Sequence, residues 1–401
     1  MPVKQVRRFF DKHRKVFLKK GKLENFYFLF EVFEVFFFMD KRTRTAPHIR
    51  DGIDSKRLMI TVVAALVPAA VMACYNTGLQ ANLLLSGSGP INPSNWQQSA
   101  LLAMGIPFSP ENIFANFVHG AFYFLPVYIT AFAAGIFWEV IFSTVRKHPV
   151  NEGFFVTSFL FALILPPAIP LWQVVLGISF GVVLGKEVFG GVGMNIFNPA
   201  LTGRVFLFFA YPAWMSGDRV WAAVDAVSRA TPLAAYAENG IIESVSWLDA
   251  FLGMIPGSMG ETSALACLIG AAVLILSGIG SWRIMISVLA GMIGTVLFFN
   301  LTGSHSNPMF AMGPHWHLVL GGFAFGTVFM ATDPVSCAMT LGGKYVYGFL
   351  IGFLTAMVRV LNPAFPEGMM LAILFSNAFA PLIDRFFIQA NIKRRMAGYA
   401  R

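Results

Sequence analysis

Charged side chains are scarce in this 401-residue chain: Asp, Glu, Lys and Arg together make up 12%, against 56% hydrophobic residues. That balance, with a positive mean hydropathy, excludes a soluble globule and a disordered, highly charged tail alike. Cysteine is nearly absent. Cys74, Cys267 and Cys337 stand alone with no CxxC pair, which excludes a disulfide framework and a thiolate metal centre and leaves them as small buried hydrophobes. No GxGxxG turn and no Walker A loop occurs, so the usual phosphate-cradling glycine motifs are missing. The basic N-terminus lacks the adjoining apolar core and small-residue site of a cleavable signal peptide. Positive charge is itself missing from two stretches, 77–119 and 303–315.

What is present is apolar sequence in long runs, with 42 Phe. Spans of about 20 residues cross a hydrocarbon core of roughly 30 Å. Ten candidates lie near 57–76, 120–142, 153–171, 173–190, 201–216, 262–281, 283–302, 316–333, 346–361 and 368–388. The net charge of +9 is not a nucleic-acid footprint, because 15 of the 29 Lys and Arg precede residue 58 and Arg385, Lys393, Arg394, Arg395 and Arg401 follow the last span. In a ten-span arrangement Arg146, Lys147, Lys186, Arg204, Arg283 and Lys344 fall on the same side as both termini. The positive-inside rule then places the termini in the cytoplasm and the acidic loop 217–261 on the outer face. The expected organisation is a basic cytoplasmic segment over 1–56, a membrane domain over 57–390 and a basic tail over 391–401. Residues 26–39, Phe-rich but carrying Glu31 and Glu34, suit an interfacial helix.

The second half echoes the first. Leu165-Pro166-Pro167 ends the third span as Thr332-Asp333-Pro334 ends the eighth, and Asn198-Pro199-Ala200 opens the fifth as Asn362-Pro363-Ala364 precedes the tenth. A five-span unit reverses orientation when repeated, so the expected fold is an all-α polytopic membrane protein of about ten helices in two inverted five-helix repeats, with a site built from broken helices.

Several residues within this frame can carry chemistry. In Gly185-Lys186-Glu187-Val188-Phe189-Gly190-Gly191-Val192-Gly193-Met194-Asn195-Ile196-Phe197-Asn198, dense glycine lets backbone approach a ligand, and the carboxamides of Asn195 and Asn198 offer donors and acceptors. That wall suits a flat uncharged heterocycle, and equally a tightly packed turn with an Asn cap. Acids inside spans are costly and so draw notice: Glu139, Asp333 and Asp384 are candidates for a hard cation such as Na+, with Arg359 a possible counter-ion. His315 and His317 form an HxH too sparse to define a metal site. In the outer loop, Asp225-Ala226-Val227-Ser228-Arg229-Ala230-Thr231-Pro232 reads as a helix start, with Thr231 at the N-cap and Pro232 at the first helical position.

The same stretch resembles the flavinylation signature Dxx(S/T)xAT, in which the last Thr carries FMN through a phosphoester; Arg229 stands where a small residue is usual. Together with Ala46-Pro47-His48-Ile49-Arg50-Asp51-Gly52-Ile53-Asp54, Phe137-Trp138-Glu139, the glycine–asparagine run, ATDPVSCAMT at 331–340 and NPAFPEG at 362–368, it makes the chain similar over nearly its whole length to the NqrB subunits of Na+-translocating NADH:quinone oxidoreductases. The RnfD subunits of ion-translocating ferredoxin:NAD oxidoreductases share the core but typically lack the long basic N-terminal extension. The resemblance implies covalent FMN on Thr231 beside Asp225 and Ser228, riboflavin near Asn195 and Asn198, and ubiquinone reduction coupled to Na+ export. It also implies partner subunits A, C, D, E and F, maturation by a flavin transferase, and a bacterial inner-membrane setting among lipid. Gly135, beside Glu139, becomes a candidate quinone or inhibitor position. A urea-transporter-like channel of the same fold is the non-redox alternative.

Overall fold

The computed structural model describes residues 55–86, 95–146, 153–215, 231–240, 245–362 and 367–399. The basic segment before residue 55, with the expected interfacial helix, and the stretch holding Asp225, Ser228 and Arg229 lie outside them. The described chain is helical: α1 Ser55–Ser86, α2 Trp96–Ala103, α3 Ile113–Arg146, α4 Gly153–Leu163, α5 Leu171–Gly185, α6 Pro199–Ala210, α7 Pro212–Met215, α8 Pro232–Asn239, α9 Trp247–Leu252, α10 Ala264–Leu276, α11 Trp282–Thr302, α12 Pro314–Val319, α13 Phe323–Phe325, α14 Leu341–Leu361 and α15 Met369–Tyr399. Six of the described helices are long and apolar enough to cross a membrane, namely α1, α3, α5, α11, α14 and α15, and α4, α6 and α10 are shorter apolar helices. The protein is a multi-pass membrane protein.

The expected spans differ from the helices in an informative way. α1 runs past residue 76 to Ser86 and α3 starts at Ile113, so both extend well beyond a hydrocarbon core; 32 residues of α1 measure about 48 Å. The expected span 316–333 is not one helix. It breaks into α12, α13 and a π-helical turn, Gly326–Met330, with Gly321 at φ +66 between α12 and α13. The third span likewise stops at Leu163, ahead of Pro166 and Pro167. At its far end α15 carries on through Arg394 and Arg395 to Tyr399, so the basic tail continues the last helix.

Broken helices free backbone carbonyls that lipid cannot satisfy. At the end of α4, Leu163 O accepts from Gly260 N at 2.6 Å and Leu165 O from Met259 N at 3.1 Å. Between α12 and α13, the fully buried Arg359 donates to His317 O at 2.7 Å and Leu320 O at 3.0 Å. Each break is thus closed by the protein.

The long helices meet through glycine. A Cβ on Gly78 would run into the Asn116 carbonyl and one on Gly120 into that of Cys74, so α1 and α3 cross with backbones in contact; Gly291 and Gly352 bring α11 and α14 together in the same way. Small residues permit such crossings where lipid removes any hydrophobic drive for helix association. The helix pairings fall into two sets. α3 packs on α5, α5 on α6, and α6 on α4; in the second half α11 packs on α14, α14 on α15, and α15 on the π turn, while α1 meets α10 between the sets.

Candidate cofactor sites

One recess, about 700 Å³ including its open mouth, lies where the ends of α1, α4, α5 and α6 meet the turn after Met330, and Asn195, Asn198, Lys186, Thr157 and Asp333 contribute its polar wall. Its rim follows from sequence. α5 ends at Gly185, Glu187–Phe189 forms a single 3-10 turn, and Gly190, Gly191 and Gly193 take φ of +124, +95 and +89, values L side chains resist. Asn198 then caps α6, its Oδ1 accepting from Ala200 N at 3.0 Å and Leu201 N at 3.3 Å, with Pro199 as the first helical residue. Its Nδ2 donates to Asp333 Oδ2 at 3.3 Å, and Asp333 also accepts from Ser336 Oγ at 2.9 Å and Val335 N at 3.1 Å. Asn195 turns its Nδ2 to Phe197 O at 2.9 Å. The two carboxamides and Asp333, 135 residues away from Asn198, share one recess.

Glu139 is not an open acid. It forms an ion pair with Lys186, both side chains being 2% exposed. Lys186 lies 3.8 Å from Glu187, and Glu187 pairs at 3.2 Å with Arg146, two turns after Glu139 on α3. Two acids and two bases leave no net charge in this quartet. Gly135, one turn before Glu139, is buried, with Ser158 and Ile178 across from it. Asp384 on α15 accepts from Met339 N at 2.7 Å, Thr340 N at 2.9 Å and Thr340 Oγ1 at 2.5 Å, which holds the entry to α14.

Thr231 sits in a second, smaller pocket of about 310 Å³ with Pro256, Ser258, Glu261, Thr262, Gly322 and Glu367 in its lining. Its Oγ1 accepts from Ala234 N at 3.2 Å, so the threonine is the N-cap of α8 as its Thr-Pro sequence indicates. Arg204 donates to Glu261 Oε1 at 2.7 Å and Ser258 Oγ at 3.2 Å. Burial raises the pKa of Glu261 above its ordinary value, and the Arg204 guanidinium works against that rise. Glu367 Oε2 accepts from Gly322 N at 3.1 Å, and Asn76 of α1 steadies the same loop by donating to Ile255 O at 2.8 Å.

One expectation changes here, that for Arg359, and the burial of Lys186 and Arg204 adds to it. Lys186 and Arg204 are buried ion-pair members, 2% and 7% exposed. Arg359 does not pair with Glu139, Asp333 or Asp384; it serves broken-helix carbonyls near Glu367, whose own carbonyl accepts from Arg359 Nε at 3.2 Å. Among the described residues no group of three or more His, Cys, Asp or Glu is set to hold an ion, His315 and His317 included. Sequence reasoning passed over Glu261, Glu367 and Asn76. The first two had a visible signal, an isolated acid next to glycine at the edge of an apolar run, whereas Asn76 had none.

A family model described as NQR2, RnfD, RnfE matches residues 42–393. The chain is 58% identical to the B subunit of the Na(+)-translocating NADH-quinone reductase of Chromohalobacter salexigens, over 98% of this chain and 96% of that one. It is 58% identical to the protein of the same name from Ectopseudomonas mendocina and 56% to that from Azotobacter vinelandii, each over 98% of this chain and 99% of the relative. With a family match over most of its length and relatives this similar end to end, the chain belongs to the NQR2, RnfD, RnfE family.

Proposed function

We propose that this chain is the B subunit of a Na+-translocating NADH-quinone reductase, carrying covalent FMN at Thr231 and riboflavin in the recess of Asn195 and Asn198. The observation that carries the reading is the pair of separate recesses, each walled by the residues that the motifs single out. Bound flavins would supply the electron carriers that no side chain here provides.

The residues present fit both groups. Thr231 Oγ1 lies at the start of α8, where it accepts from Ala234 N, and the free N–H groups of a helix N-terminus favour the oxygens of a phosphate. A mostly apolar recess with a few convergent polar groups suits a flat heterocycle. Within it Asn195 and the Asp333 carboxylate would orient the ring through hydrogen bonds, and the surrounding α1 and α4 side chains would exclude water. Asn198 has its oxygen committed to the cap and its amide nitrogen to Asp333, so it acts by fixing the wall.

The two recesses are lined by different residues, Asn195, Asn198 and Asp333 in one and Thr231, Glu261 and Glu367 in the other, which supports two separate electron carriers on the way to ubiquinone, with Gly135 and Glu139 the candidates for a quinone approach. Among the acids offered to Na+, Asp333 faces the recess, Glu139 is neutralised by Lys186 and Asp384 is held by the α14 entry, so Asp333 is the foremost cation candidate. Matching helix pairings in the two halves support an inverted repeat of urea-transporter type, and the distribution of Lys and Arg supports cytoplasmic termini in a bacterial inner membrane. Exposed Phe and Leu along the long helices would meet lipid and subunits A, C, D, E and F.

The test is flavin fluorescence of the denatured full-length chain after co-expression with a flavin transferase, alongside extraction of non-covalent flavin. Thr231→Ala is expected to abolish the fluorescent band, and Asn198→Ala to lower extractable riboflavin while sparing the band. A dark wild-type band despite an active transferase would return Thr231 to a helix cap and favour a channel of the same fold.

A further inference from the structure

The two recesses share a rigid element. α6 has Asn198 at its N-cap in the wall of the larger recess and Arg204 six residues later, about 9 Å along its axis. Arg204 reaches out of α6 with both arms of its guanidinium, to Glu261 Oε1 at 2.7 Å and to Ser258 Oγ at 3.2 Å. Ser258 and Glu261 belong to the non-helical loop between α9 and α10, and both line the Thr231 pocket. The loop's backbone is threaded onto the broken end of α4 at Leu163 and Leu165, which fixes its depth but not its side-chain face. Arg204 supplies that second constraint, and its planar fork is suited to hold two partners at once.

We propose that Arg204 is a positioning residue: through Glu261 and Ser258 it holds the loop as the floor of the Thr231 pocket, so that a flavin phosphoester there is seated against protein, in fixed relation to the recess at the start of α6. This inference rests on the Thr231 reading. A structural ion pair without that role would affect folding and leave the environment of the attached group unchanged.

The experiment is acrylamide quenching of flavin fluorescence in the native, full-length chain co-expressed with a flavin transferase, after subtracting the signal of the Thr231→Ala protein. Arg204→Gln leaves Glu261 buried without its cation and is expected to raise quenching about threefold as the floor opens, without loss of the denatured fluorescent band. Arg204→Lys keeps the charge, loses the fork and falls between. The double variant Arg204→Gln, Glu261→Gln removes the uncompensated buried charge, though the shorter Gln does not remake the contact, and returns quenching part of the way to the wild-type level. Unchanged quenching in Arg204→Gln, or a double variant as exposed as the single one, overturns the proposal. Should Arg204→Gln fail to accumulate, the double variant decides: shielded supports it and exposed overturns it. A dark denatured band in wild type overturns the Thr231 reading and this one with it, whereas a fluorescent band with unchanged quenching overturns this one alone.

Discussion

Lys186 shows why single residues in this protein have roles that their neighbours along the chain do not reveal. Its ammonium lies between Glu139 and Glu187, all three almost fully buried, and only Arg146 completes neutrality. Removing one member of a buried pair costs about 3–5 kcal/mol, because the partner is left as an uncompensated charge. Lys186→Met is therefore expected to lower the thermal unfolding midpoint markedly, and Lys186→Met with Glu139→Gln to recover part of the loss; a thermal melt of the detergent-solubilised chain reads both. Asn198 was half legible. Asn-Pro-Ala announces a helix cap, and the cap is there, but the bond from its other amide atom to Asp333 joins positions 135 apart, which no local pattern encodes.

At the scale of elements, helices are decided by what they touch as much as by what they contain. Hydropathy marked the membrane segments, since apolar side chains avoid water wherever they sit along the chain. It misjudged their integrity. Residues 316–333 are apolar enough to read as one span, yet the chain breaks there because Arg359 and Glu367 satisfy the freed polar backbone. The crossing of α1 and α3 is the complementary case, where the element depends on a missing side chain. In Gly120→Val, Cβ would collide with the Cys74 carbonyl, a backbone group that cannot swing aside. The helices must part, and overpacking of that kind costs about 1–3 kcal/mol. Reduced accumulation and a lowered melting midpoint are expected, while Gly105→Val, at a position where a Cβ meets nothing within 4 Å, leaves packing untouched and carries only the strain of its φ of +70.

For the whole molecule, the charge distribution predicts which ends face which compartment. A periplasm-active reporter fused within 241–244 is expected to be active and one after Arg401 inactive, in line with the bias of Lys and Arg toward the termini. Activity of the C-terminal fusion would reverse the orientation and with it the assignment of Thr231 to the outer face. The scarcity of charge and the apolar runs were enough by themselves to determine a multi-pass helical membrane protein, the glycine–asparagine run singled out Asn195 and Asn198, and Thr231 was nominated by its resemblance to the flavinylation signature. Those signals are local: they depend on solvation of a side chain and on hydrogen bonds within four residues. Only the tertiary structure decided that Asn198 meets Asp333, that Lys186 and Arg204 are interior counter-ions, and that the loop at Glu261 lines the Thr231 pocket. Each of these is a pairing between distant segments, and burial makes such pairings obligatory because an unpaired charge or backbone group inside the bundle has no water to turn to.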